Sequence, residues 1–208
     1  MDKKVLRFYF IRHGKTEWNI SRQMQGWGDS PLVEEGINGA KAVGDILRDI
    51  PFEAVYTSTS KRTQDTANLI TNEKYPLHPL EELREMHFGT WEGVSILDLD
   101  RDFPEERETF MTDAAAYTAE VNGGETFYEL ADRVRGGLEK IVANHEEGNI
   151  LIVSHGMTLS LLLHLLAGGG VEDYRTKAAR ILNTSVSVVC YEDGKYEVEA
   201  LNQVEHLV

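Results

Sequence analysis

The sequence predicts a three-layer α/β/α sandwich around a mostly parallel central sheet, with a small helical cap insertion. Three observations carry that prediction. Short apolar runs alternate with amphipathic helical patterns along the chain. The run at 149–153 (NILIV) is continuously apolar after Asn149, as a strand covered on both faces should be. Two of the apolar runs end in His-Gly turns, the place where open α/β sheets bind ligands.

Taken in order, residues 5–11 (VLRFYFI) form a strand, because β-branched and aromatic residues fill a short run that stops at a Gly-containing turn. Over 34–50 the apolar positions Ile37, Ala40, Val43, Ile46 and Leu47 recur at helical spacing, and Pro51 closes the helix. A second strand occupies 54–57, and Ser60 caps a helix that carries Ala67 and Ile70 on one side. A Pro-flanked segment at 77–80 leads into a loop over 83–93. Residues 94–122 are polar, acidic and weakly patterned, and are expected to be an irregular helical cap insertion. Beyond Gly123-Gly124, Thr126 and Glu129 make a capping box for a long amphipathic helix to about His145. Strand 149–153 turns through Ser154-His155-Gly156 into the apolar helix 157–167, which three glycines end. Residues 185–191 and 196–201 flank Asp193-Gly194 and form a hairpin. No repeat, low-complexity tract or linker divides the chain, so residues 1–208 are expected to form one domain carrying the insertion 94–122.

The composition limits the function. With 208 residues, 21 Lys and Arg against 35 Asp and Glu, and a net charge of −14, the chain has no global positive field for nucleic acid. An anionic substrate would need a local basic pocket. No apolar run nears the ~20 residues of a membrane span, and the apolar stretch within residues 1–12 is too short and charged for a signal peptide. The single cysteine, Cys190, suits a reducing compartment, where it packs as a small hydrophobe; the expected location is cytoplasmic.

The chemistry is expected at strand ends. The first strand runs into Arg12-His13-Gly14, and the strand at 149–153 into Ser154-His155-Gly156. Glycine lets the backbone approach a ligand, and Arg12 offers a planar cation suited to phosphate. Arg62, in the first helical turn after Ser58-Thr59-Ser60, adds another where helix N–H groups also favour an anion. Glu85 supplies a carboxylate from the loop.

These residues resemble the histidine phosphatase superfamily, in the branch that includes cofactor-dependent phosphoglycerate mutases. The resemblance runs over 8–93 and resumes over 123–187. It rests on Arg12-His13-Gly14 with Thr16 and Asn19, Gln25-Gly26 with Asp29, Pro31 and Leu32, and Ser58 with Arg62, Thr66 and Ala67. Leu83-Arg84-Glu85 with Phe88-Gly89 and Trp91-Glu92-Gly93, and then Ser154-His155-Gly156, complete it. It implies that His13 is a nucleophile that becomes phosphorylated and that Glu85 is the proton donor. Arg12, Arg62 and His155 would bind the transferring phosphoryl group, with Thr16, Asn19, Gln25, Gly26 and Gly156 as further phosphate or substrate contacts. Lys15 departs from the glutamate common in the family and would add positive charge near the pocket mouth.

The expected activity is therefore metal-independent hydrolysis of small phosphorylated metabolites, with no cofactor and no metal. Imidazole attacks phosphorus only with one nitrogen unprotonated, a state that nearby cations favour. Fixed donors on Arg12, Arg62 and His155 meet the phosphoryl charge, and Glu85 protonates the leaving oxygen and later deprotonates water. The alternatives are a phosphoglycerate mutase and a non-catalytic module that binds phosphorylated ligands; a metal-dependent hydrolase lacks zinc-type His/Cys spacings. The chain is short for a mutase, and its insertion shows no basic cluster for a second acidic group. Phe103, Phe110, Met111 and Tyr117 are expected in a cap over the site. His78, His87, His145, His164 and His206 are assigned to surface or packing, and Asn183-Thr184-Ser185 to a chance glycosylation match. A small phosphorylated metabolite is the expected partner, with no nucleic acid and no membrane; a homodimer stays open.

Overall fold

The computed structural model describes residues 4–207. The first three residues, part of the stretch 1–12 discussed as a leader, and Val208 lie outside them. The strands are β1 (Val5–Arg12), β2 (Phe52–Thr57), β3 (Leu77–Pro79), β4 (Glu147–Ser154), β5 (Val186–Glu192) and β6 (Lys195–Gln203). The helices are α1 (Glu17–Ser21), α2 (Glu34–Ile46), α3 (Lys61–Thr71), α4 (Ile96–Asp102), α5 (Pro104–Thr112), α6 (Phe127–Asn144), α7 (Gly156–Leu166) and α8 (Tyr174–Lys177).

The six strands form one sheet in the order β3-β2-β4-β1-β5-β6. β3, β2, β4 and β1 are parallel, and β5 and β6 continue antiparallel. Strand side chains alternate between faces, and the core follows that alternation. Leu6, Phe8 and Phe10 of β1 join Val134, Leu138 and Ile141 of α6 and Leu159, Leu162 and Leu163 of α7. Tyr9 and Ile11 join Ala40 and Val43 of α2 and Ala67 and Ile70 of α3 on the other side. These are the three predicted layers.

Residues 94–122, expected as an insertion, contain α4 and α5 and contribute to a third apolar cluster, in which Leu99, Phe110 and Tyr117 pack with Trp91, Phe127, Leu130 and Leu161. Phe110 and Tyr117 are therefore core residues rather than cleft lining, while Met111 is half exposed. Several element ends differ from the expectation. The helix from Glu34 stops at Ile46, four residues early. The segment at 77–80 contributes a three-residue edge strand, β3, paired with β2. The short helices α1 and α8 carry too few apolar positions to show a period.

Candidate active site

Sheet register brings the site together. Arg12 lies opposite Ser154 and Thr57 opposite Val153, so the residues that follow leave adjacent strands side by side. These are His13, His155 and Ser58. The His13 amide donates to Ser154 O at 3.0 Å, tying the end of β1 to that of β4.

The hydrogen bonds fix both imidazole tautomers. His13 Nδ1 lies 2.8 Å from the Gly14 carbonyl, which can only accept, so Nδ1 carries the proton and Nε2 the lone pair. Arg62 Nε points at that Nε2 from 3.4 Å. At His155 the Arg62 Nη2 donor stands 3.0 Å from Nδ1, so there the proton lies on Nε2, which donates to Ser58 Oγ at 2.7 Å. The two rings meet edge to face at 5.3 Å and are almost wholly buried. Burial, with Arg62 as the next cause, pushes both imidazoles well below their ordinary pKa. Burial is the larger influence, ahead of the neighbouring cations that the sequence pointed to.

Arg62 is 1% exposed and spans the site. Its Nη1 donates to Gly28 O at 2.6 Å and Asp29 Oδ1 at 2.9 Å, and its Nη2 also donates to Gly26 O at 2.9 Å. Gly26 has φ of +55°, and a Cβ there would lie 2.4 Å from Glu92 Oε1, so the carbonyl is presented by a backbone only glycine fits. Arg12 donates from Nη1 to Ile181 O at 2.7 Å, whereas its buried Nε has no partner. That donor sits against the start of α7: a Cβ on Gly156 would stand 3.1 Å from Arg12 Nε. Burial brings Arg12 down to about 10, opposed by Glu85, which leaves it a cation at neutral pH. A buried donor without an acceptor beside a helix N-terminus suits an anion.

Glu85 occupies the same helix N-terminus from the other side. Its Oε1 accepts from Met86 N at 2.9 Å and from Thr158 N and Thr158 Oγ1 at 3.0 Å each. Its Oε2 accepts only from Met157 N, at 3.0 Å, so Oε2 is the oxygen with room for a proton. α7 thus has a carboxylate from a distant loop where a side-chain cap would normally sit, and His155 at its N-cap makes no such bond.

The other predicted contacts are placed more variably. Thr16 and Asn19 form a reciprocal capping box at the start of α1. Asn19 Oδ1 also accepts from Asn183 Nδ2 at 3.2 Å, and the same Nδ2 is 3.0 Å from His13 O. Asn183 therefore joins the backbone of the first histidine to Asn19, a role hidden behind an apparent glycosylation match. Gln25 is buried and accepts from Ser30 Oγ at 3.0 Å. Lys15 is paired with Glu35 at 2.9 Å, which cancels the charge it was expected to add. A cavity of about 830 Å³ between α2 and α3, lined by Lys41, Arg48 and Tyr75, contains none of these groups. Asn183 escaped the sequence reading of the site, and Ser58 entered it only as a family match without a role, because only the pairing of strand ends shows what they touch.

Comparison with known proteins bears on what this arrangement is for. A model described as the histidine phosphatase superfamily (branch 1) matches residues 8–204. The chain belongs to that superfamily. Within it, the chain is 30% identical over 211 residues to a metal-independent phosphoserine phosphatase of Arabidopsis thaliana, covering 100% of this chain and 85% of that one. It is equally 30% identical, over 209 residues, to a probable phosphoglycerate mutase, GpmB, of Proteus mirabilis, covering 98% and 95%. Among solved structures, Bacillus stearothermophilus YhfR superposes with a TM-score of 0.93 at 32% identity, covering 98% of this chain and all of that one. Histidine phosphatase relatives of both kinds make this an enzyme acting on phosphates. Among the described residues no helix is long and apolar enough to cross a membrane.

Proposed function

We propose that the chain is a metal-independent phosphatase that hydrolyses small phosphorylated metabolites through a phosphohistidine on His13. The observation that carries this reading is His13 Nε2, buried, kept unprotonated by the Nδ1 bond to Gly14 O and met on its lone pair only by the Arg62 Nε donor at 3.4 Å. In the first step Nε2 attacks phosphorus, the ester P–O bond breaks, and the leaving oxygen takes a proton from Glu85 Oε2. Arg12 Nε meets the charge on the phosphoryl oxygens, joined by Arg62 Nε as it turns from the attacking His13 Nε2. His155, its Nε2–H on Ser58 Oγ and its Nδ1 accepting from Arg62, holds that guanidinium in place. In the second step water attacks the phosphohistidine, gives a proton to Glu85, and releases phosphate and free His13. Arg62 contacts both rings, so a cation already stands where a metal between the histidines would sit.

The insertion supports hydrolysis over mutase chemistry. Residues 94–122 hold two arginines against eight acidic residues. Arg101 is paired with Asp98 and Asp102, and Arg107 with Asp100. Neither guanidinium lacks a carboxylate, so no cation of the insertion is left for a second acidic group on the substrate. In this reading 1–208 is one domain with 94–122 as its cap, and Asn19, Gln25 and Gly26, bonded to Asn183, Ser30 and Arg62, brace the pocket.

The test is hydrolysis of an aryl phosphate by wild type and His13→Ala, with and without chelator, together with a search for acid-labile phosphoenzyme. The expected result is chelator-resistant activity that requires His13 and coincides with the phosphoenzyme. Wild-type turnover in His13→Ala would remove the nucleophile. Interconversion of phosphoglycerates in the presence of 2,3-bisphosphoglycerate, without net hydrolysis, would make the chain a mutase.

A further inference from the structure

Glu85 sits on a loop between a single 3-10 turn and Gly89, yet proton transfer demands that it hold still. Its carboxylate is fixed by α7, as described. Its backbone is fixed by something else. Arg133 of α6 donates from Nε and Nη2 to the two carboxylate oxygens of Glu125 at 2.7 Å each. The remaining donors reach the loop: Nη1 to Glu82 O and Arg84 O at 3.0 Å each, and Nη2 to Glu85 O at 3.1 Å. All five N–H groups of the guanidinium are therefore used.

Glu125 works on the far side of the same loop. Its Oε2 accepts from His87 N at 3.2 Å, and its own amide donates to His87 O at 2.8 Å. The indole of Trp27 gives Glu85 O a second donor at 2.9 Å. Both members of the ion pair are largely buried, with 18% and 11% of their side chains exposed. A buried pair is a poor device for raising stability, since desolvation offsets most of the attraction, whereas it can specify geometry well.

We infer that Arg133, aligned by Glu125, is a positioning residue for Glu85. It holds the backbone carbonyl of Glu85, with Trp27 as the second donor, so that Oε2 stands where the leaving oxygen departs. This rests on the proposed role of Glu85 in proton transfer. It predicts a loss confined to the step in which Glu85 gives its proton to the breaking P–O bond, a step that matters for alkyl leaving groups and hardly for aryl ones.

The experiment compares wild type, Arg133→Lys, Glu125→Gln and Glu85→Gln on glycerol phosphate and 4-nitrophenyl phosphate, measuring kcat, KM and inhibition by inorganic phosphate. Lysine keeps the charge against Glu125 but has three donors on a flexible stem, too few for three carbonyls and a carboxylate. Arg133→Lys should lose about tenfold or more in kcat on the alkyl ester and less than about twofold on the aryl ester, with phosphate inhibition unchanged. Glu125→Gln should shift the two esters in the same sense, and carries the test if Arg133→Lys does not fold. Equal losses on both esters, or a wild-type alkyl rate in both variants, would overturn the inference. If Glu85→Gln itself shows no dependence on the leaving group, it is the role of Glu85 that fails, whatever Arg133→Lys does.

Discussion

An imidazole is a nucleophile only while its lone pair is free, and at His13 that state is imposed from three directions. The Gly14 carbonyl takes the Nδ1 proton, burial disfavours the charged ring, and Arg62 repels a proton from Nε2. The pH consequence has a definite sign. Because the neutral form is the reactive one and its pKa lies well below 6.5, the acid limb of activity moves below the range of an ordinary histidine. For an aryl phosphate, kcat/KM expressed per concentration of substrate dianion should stay level from pH 7 to pH 6. A fall centred near 6.5 would mean an unperturbed imidazole. At this scale the sequence was informative where chemistry and strand ends coincide: Arg12, His13 and His155 could be picked from their own turns. Ser58, Asn183 and Arg133 could not, since each acts through a partner 97, 170 or about fifty residues away.

Elements were legible where a cap or a period marked them. Thr126 and Glu129 make the reciprocal box expected at the start of α6, and Asp193 and Gly194 take the positive φ values that a tight hairpin requires. β3 was not, because three residues ending in proline give neither alternation nor a run, and only the edge of β2 makes them a strand. The insertion shows how packing overrides pattern: α5 is barely amphipathic, yet Phe110 sits in a cluster with Trp91, Tyr117 and Phe127. Arg175 of α8 lies over Phe110 at 4.7 Å and Phe127 at 4.9 Å. Its Nε and Nη2 are buried without partners, and burial lowers its pKa. Ring faces recover part of the cost of burying this cation, but unmet donors cost about 1–3 kcal/mol. Arg175→Met should therefore be neutral or stabilising by up to about 2 kcal/mol in urea unfolding. A loss of similar size would show that the cation–π contacts outweigh the unmet donors.

The whole molecule sets a local field against a global one. The chain carries −14 overall, while the pocket at the strand ends gathers Arg12 and Arg62 around two histidines that burial keeps neutral. That neutrality links the site to the stability of the entire fold. Above pH 6.5 the two histidines are neutral whether the chain is folded or unfolded, and they contribute no pH dependence. As pH falls below 6.5 the unfolded chain takes up protons on both, and the folded chain does not until its own depressed pKa values are reached. Stability attributable to the pair is thus fully present above 6.5 and is lost on acidification through the interval beneath it. The slope is about 1.4 kcal/mol per pH unit for each histidine. Urea midpoints for wild type and His155→Gln at pH 7.5, 6.5 and 5.5 measure this directly. Between 6.5 and 5.5 the wild type should lose more stability than the variant, by about 1 kcal/mol, since every other titrating group is common to both. Parallel curves would mean that His155 titrates alike in the folded and unfolded chain, and the buried neutral ring on which the pocket depends would then be wrong.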